Sequence, residues 1–185
     1  MPPAARSGRG RRPTRGRPHL AARAAAVRLL ILDVDGVLTD GGLYYGASGE
    51  ELKRFDVHDG LALAAAGRAG LCVAVISGRA SPAVARRLSE LGITEVHQGI
   101  ADKGRVLSDL LARLDLDASA MAVMGDDLTD LPMMERGGLA LAPRNAVGEV
   151  ARVAHWVARR RGGEGAVREA VEFLLRARKA WPPPA

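Results

Sequence analysis

Three short, unbroken apolar runs, each ending in polar residues, constrain this sequence most. "LLIL" (29–32) runs into Asp33 and Asp35, "VAVI" (73–76) into Ser77, Gly78 and Arg79, and "MAVM" (121–124) into Gly125, Asp126 and Asp127. Apolar runs of this length without alternation suit strands buried on both faces. The segments between them carry helical spacing, such as Val84, Leu88 and Leu91, or Val106, Leu110 and Leu114. Buried strands alternating with amphipathic helices predict an α/β fold: a Rossmann-like parallel sheet with helices on both faces and right-handed crossovers. Ligands of such sheets sit beyond the carboxyl ends of the strands. The polar residues that follow the three runs should therefore meet in one crevice.

Other elements follow from local chemistry. "GLYYGASGEELKRFDV" reads as two short strands around a Gly/Ser turn, a β-hairpin flap. "HDGLALAAAGRAG" reads as a helix with Asp59 as N-cap and Gly70 as terminator. Ser81 caps the next helix, with Pro82 at its first position and Gly92 as its stop. "NAVGEVARVA" is expected as a helix capped by Asn145, "HWVA" as an edge strand, and "GEGAVREAVEFLLRARKA" as the closing helix before "WPPPA".

Charge is unevenly placed. The net charge of +6 comes from residues 1–27, which hold seven arginines and no acid; the remaining 20 basic and 21 acidic residues nearly cancel. The organisation expected is a disordered basic tail (1–27), one domain (28–180) and a flexible C-terminus (181–185). The tail lacks aromatic stacking residues, so nucleic acid is not expected as a partner. No apolar stretch approaches the roughly 20 residues of a membrane span. A single cysteine, Cys72, within an apolar run fits a reducing, cytoplasmic setting.

Each polar strand-end residue has an ordinary reading alone. Asp35 before Gly36 is turn chemistry, Ser77–Gly78 a loop, Asp130 a surface acid. Lys103 is a first-turn residue, although a cation there opposes the helix dipole. Together, carboxylates, a hydroxyl and a lysine at successive strand ends point to a cation, a phosphate or both. Asp33 and Asp35, two apart, would lie on opposite faces of a straight strand. The chain must bend after Asp33, and Gly36 permits it.

"DVDGVLTD", "ISGR", "DK" and "GDDLTD" resemble the four motifs of haloacid-dehalogenase-type phosphatases. Over residues 28 to about 170 the closer resemblance is to the 3-deoxy-D-manno-octulosonate 8-phosphate phosphatases, carried by "GGLYYGASGEELKRFDVHDGLAL", "VISGRASPAVARRLSELGI", "HQGIADK" and "GGEGAVRE". The resemblance implies a Mg²⁺-dependent phosphomonoesterase that releases free octulosonate for bacterial lipopolysaccharide synthesis. It makes Asp33 the nucleophile, Asp35 the general acid–base, and Ser77 and Lys103 the phosphoryl partners. It assigns Mg²⁺ to Asp33, the main-chain carbonyl of Asp35, and Asp126, with Asp127 and Asp130 as neighbours that orient them. Substrate contacts would come from Asp35, Asp56, Val57, His58, Asp59, Gly60, Gly78, Arg79, Arg87 and Lys103. Ala64 stands where octulosonate phosphatases can carry a basic residue, and Arg68 lies one turn later.

Only the hairpin Leu43 to Phe55 separates the first motif from the "HDG" helix, and one helix and one strand separate "ISGR" from "DK". That leaves no room for the cap domain many superfamily members carry. The resemblance implies a homotetramer whose neighbours wall the site. A nonulosonate 9-phosphate is the alternative substrate, and a receiver-type signalling domain the alternative class.

Overall fold

The computed structural model describes residues 17–47 and 51–183. Its centre is a six-stranded, all-parallel sheet in the order β5-β4-β1-β6-β7-β8. The strands are β1 (Leu29–Leu32), β4 (Cys72–Ile76), β5 (Glu95–His97), β6 (Met121–Met124), β7 (Leu139–Ala142) and β8 (Trp156–Val157). A separate antiparallel hairpin, β2 (Tyr44–Tyr45) and β3 (Glu51–Leu52), follows β1. The helices are α1 (Arg17–Ala26), α2 (Val57–Arg68), α3 (Pro82–Glu90), α4 (Lys103–Leu114), α5 (Leu131–Met134), α6 (Gly148–Val153) and α7 (Ala166–Ala177).

The apolar runs are strands with two buried faces because their alternate residues enter two cores. Leu30 and Leu32 join Val75, Met124 and Leu141 in a core covered by α2, α3 and α7. Leu29 and Ile31 join Ala74, Ile76, Met121 and Val123 in a second core under α4, α5 and α6. Filling both faces fixes the register: Leu32 lies opposite Val75 on one side and Met124 on the other. Asp33 therefore emerges between the ends of β4 and β6. β1 has neighbours on both sides in the sheet, and its carboxyl end is where crossovers diverge and a crevice opens. Among the described residues only the hairpin is inserted between β1 and α2, and only α3 and β5 stand between β4 and α4, so there is no cap domain.

The expected tail and C-terminus are corrected in part. Residues 17–26 form a helix, not a disordered arm, and Ala24 and Val27 are fully buried against the molecule. Alanine is the strongest helix former and buries without side-chain entropy, so "HLAARAAA" packs on α7 with Ala24 and a single large apolar residue, Leu20. The expectation for residues 1–16 lies outside the described residues. At the other end Trp181 packs against the core, and the guanidinium carbons of Arg168 and Arg176 lie 5.8 and 6.0 Å from its ring. It is held rather than free; residues 184–185 lie outside the described residues.

Two helix caps differ from expectation. Asp56, not Asp59, caps α2, its carboxylate accepting from the His58 N–H. The N-cap of α6 is Val147, not Asn145. Ser81 does stand at the start of α3, but its hydroxyl makes no capping bond. Among the described residues, no helix is long and apolar enough to cross a membrane.

Candidate active site

Asp33 leaves β1 with its N–H donating to the Met124 carbonyl at 3.1 Å, so the sheet itself fixes the start of the site. The chain then turns at Gly36, whose φ of +86° is left-handed backbone that glycine adopts without steric cost. A Cβ there would lie 2.0 Å from Asp126 Oδ2. The bend read from the Asp33–Asp35 spacing is thus present, and it is also what lets the acid after β6 approach.

Lys103, at the first position of α4, reaches back into this crevice. Its Nζ donates to Asp33 Oδ1 at 2.8 Å and to Asp130 Oδ1 at 2.7 Å. Asp130 is fully buried, and its other oxygen accepts from the Asp126 and Asp127 N–H groups at 3.0 and 3.3 Å. The two carboxylates answer the helix-dipole objection to a lysine at that position. Burial would lower the Lys103 pKa, but Asp33 and Asp130 outweigh it and hold the ammonium charged.

One lysine does not neutralise this cluster. Carboxylate oxygens of Asp33, Asp126 and Asp130 lie within 4.8 Å of one another. Burial first, then the Asp130 charge, raises the Asp33 pKa to about 6 despite Lys103. Burial, then Asp33 and Asp130, raises that of Asp126 to about 7. Each like-charge pair near 4 Å costs about 4 kcal/mol at an effective dielectric of 20. Asp126 Oδ1 is buried and has no hydrogen-bond partner among the described residues. Both oxygens of Asp130 are engaged, so the ligands free to converge are Asp33 and Asp126. An oxygen-only acidic set with an orphaned buried oxygen fits a hard divalent cation.

The β4 end supplies Ser77, which is buried, with its Oγ accepting from the Arg79 N–H at 3.3 Å. At the mouth, Asp35 Oδ1 accepts a hydrogen bond from Lys53 Nζ, and Asp35 Oδ2 lies 3.8 Å from Arg79 Nε. Arg79 also donates to the Tyr45 hydroxyl at 3.4 Å. The hairpin thus contributes a cation and a phenol to the surroundings of Asp35.

Comparison with known proteins agrees with this geometry. Residues 85–169 match the model of a haloacid dehalogenase-like hydrolase family. The 3-deoxy-D-manno-octulosonate 8-phosphate phosphatase KdsC of Salmonella typhimurium is 44% identical over 158 residues, covering 85% of this chain and 84% of that protein. The chain belongs to the 3-deoxy-D-manno-octulosonate 8-phosphate phosphatase family of haloacid dehalogenase-like hydrolases. Among solved structures, the Yersinia pestis phosphatase of that name has a TM-score of 0.85 at 42% identity, covering 87% of each chain. The Moraxella catarrhalis phosphatase, solved with a magnesium ion, a phosphate ion and a KDO molecule, has a TM-score of 0.86 at 38% identity, covering 88% of this chain and 93% of that one.

Within this family member, the structure gathers Asp33, Lys103, Asp126 and Asp130 into one cluster and sets Asp35 and Arg79 at its mouth. Asp127 caps the short turn 128–130, its Oδ1 accepting from the Leu128 N–H at 2.7 Å. The "DVHDG" residues open α2. Val57 and His58 are exposed, and His58 Nδ1 lies 3.3 Å from Asp56 Oδ1. Asp59 is buried and faces α7, accepting from the Arg168 and Gly165 N–H groups at 2.7 and 3.3 Å. It caps α7 across the fold, in place of the local cap expected of it. Arg87 lies over Gly60 and pairs with Glu90 at 3.4 Å. Arg68 is exposed in the last turn of α2, one turn beyond Ala64, which lines a cavity with Leu91 and Ile93.

Sequence reasoning missed Lys53, Tyr45 and Asn145 as parts of the site. Lys53 and Tyr45 sit in a hairpin with no local chemical signal; only its folding over Asp35 gives them meaning. Asn145 looked like a helix cap because asparagine before a helix usually is one.

Proposed function

We propose that this protein hydrolyses 3-deoxy-D-manno-octulosonate 8-phosphate to octulosonate and phosphate in a Mg²⁺-dependent reaction. The single observation that carries the reading is the approach of Asp33 and Asp126, from opposite ends of the motif set, to within 4.8 Å beside Lys103. The family relationship supports the substrate. Asp33, Asp126 and the main-chain carbonyl of Asp35 would hold Mg²⁺. When bound, the ion acts as a Lewis acid that offsets the negative charge of the carboxylates and the phosphoryl group.

Asp33 attacks phosphorus in line, forming an aspartyl phosphate as the bond to the sugar oxygen breaks. Asp35 gives that oxygen its proton. Asp35 then takes a proton from water, which attacks the aspartyl phosphate, releases phosphate and restores Asp33. Lys103, the Ser77 hydroxyl and the Gly78 amide hold the phosphoryl oxygens, which keeps developing charge on fixed donors. Arg79 and Lys53 supply positive charge at the mouth, suited to the sugar carboxylate.

A capless site of this kind is open to water, and the reading includes a homotetramer that covers it. Leu43, Tyr44, Tyr45 and Leu52 of the hairpin and Val57 and Leu61 of α2 are all exposed. Exposed apolar groups concentrated beside a catalytic crevice suit a subunit contact. A cytoplasmic location accords with the lone cysteine.

The test is a panel of sugar phosphates, with released phosphate measured with and without Mg²⁺. Octulosonate 8-phosphate should be turned over fastest, and chelation should abolish turnover. Preference for a nonulosonate 9-phosphate would keep the chemistry and change the substrate. No phosphate release from any acidic sugar phosphate in Mg²⁺ would end the proposal.

A further inference from the structure

The loop after β7 joins the two carboxylate-bearing arms of the site. The Asn145 Nδ2 donates to the Gly36 carbonyl at 2.9 Å, and its Oδ1 accepts from the Gly162 N–H at 2.7 Å. Two residues on, the Val147 N–H donates to the Asp126 carbonyl at 2.9 Å. One short stretch therefore grips the Gly36 carbonyl, one residue beyond Asp35, and the main-chain carbonyl of Asp126. The packing around it is tight. A Cβ on Gly162 would lie 1.8 Å from the Gly36 carbonyl oxygen. The Gly163 N–H donates to the Val37 carbonyl at 3.1 Å, and the Arg144 N–H to the Arg160 carbonyl at 2.9 Å. The part-buried Asn145 amide thus commits both its functions across the fold, while Val147 holds the N-cap position of α6.

We propose that Asn145 is a positioning residue for divalent-ion binding: by clamping the Gly36 peptide between β7 and the 162–163 turn, it sets the Asp35 main chain at a fixed distance from Asp126. The inference rests on the reading that Asp33, Asp35 and Asp126 hold the ion. A primary amide suits the role because one side must donate to a carbonyl while the other accepts from an N–H. Gly36 cannot resist displacement by itself, since glycine is the least restricted residue. Without the clamp, the ion would have to order that loop, and the ordering would be subtracted from its affinity. Partners that orient metal ligands typically change affinity 10–100-fold when removed.

The experiment is calorimetric titration of Mn²⁺ into the full, substrate-free chain, for wild type, Asn145→Ala, Asn145→Ser and a core control, Val171→Ala. Both Asn145 variants should bind Mn²⁺ about 10-fold more weakly. Their Mg²⁺ concentration for half-maximal turnover should rise by a similar factor, while kcat at saturating Mg²⁺ and the KM for substrate stay within about twofold. Val171→Ala should melt lower yet bind Mn²⁺ like wild type. Wild-type Mn²⁺ affinity in a folded Asn145 variant would overturn the inference, as would an equal loss in Val171→Ala. A wild-type chain that binds no Mn²⁺ would overturn the underlying reading of the site, and the inference with it.

Discussion

Asp33 carries a conflict between stability and use. Its burial and the Asp130 charge raise its pKa to about 6. Folding therefore works against its ionised form at neutral pH, the form a nucleophile needs. Asp33→Asn should lower turnover by at least about 10³-fold while melting no lower than wild type in divalent-free buffer. A calorimetric scan beside an activity assay checks both; wild-type turnover would remove Asp33 as nucleophile. Asp59 gives a separate pH signature. Burial raises its pKa from 3.8 to about 6, against the two α7 N–H groups it accepts from. A carboxyl with a raised folded pKa binds more protons folded than unfolded, so its contribution is full at low pH and lost as pH rises from about 4 to 6. The loss is of order 3 kcal/mol at most. Asp59→Asn should flatten the melting temperature over that window; an unchanged slope would contradict it. At this scale the sequence was informative where chemistry is local. Asp33, Lys103 and Asp126 were legible because each ends a strand or opens a helix. Asp59 and Asn145 were not, since their partners lie 106 to 109 and 17 to 109 residues away.

At the scale of elements, the continuous apolar runs made the parallel strands readable, because only a doubly covered sheet buries every residue of such a run. The two hairpin strands were readable, although residues 48–50 between them lie outside the described residues, but the placement of Lys53 against Asp35 was not. α1 was hidden because an arginine-rich context masks a helix whose core contact is small, Ala24 with Leu20 beside it. A graded truncation separates its two halves. Removing residues 1–16 should leave melting temperature and turnover unchanged. Removing 1–26 strips Ala24 from the core and should lower stability by about 1–3 kcal/mol, with kcat at a permissive temperature little altered. Equal melting of the two truncations would mean that α1 contributes nothing to the fold.

For the whole molecule, the sheet order decides everything else. Placing β1 between β4 and β6 brings residues 33, 77 and 126 to one rim, although they are far apart along the chain. The absence of a cap leaves that rim open, and a tetramer is the expected cover. Light scattering under assay conditions should give four chains per particle; an active monomer would contradict it. The shared divalent ion at Asp33 and Asp126 underlies the proposed chemistry, and paramagnetic resonance of Mn²⁺ added to the substrate-free protein measures it. Wild type should hold one ion per site, and Asp33→Asn and Asp126→Asn should each weaken it by about 10-fold or more. If either variant, folded, binds Mn²⁺ as tightly as wild type, the two acids do not share an ion and the proposed hydrolysis fails.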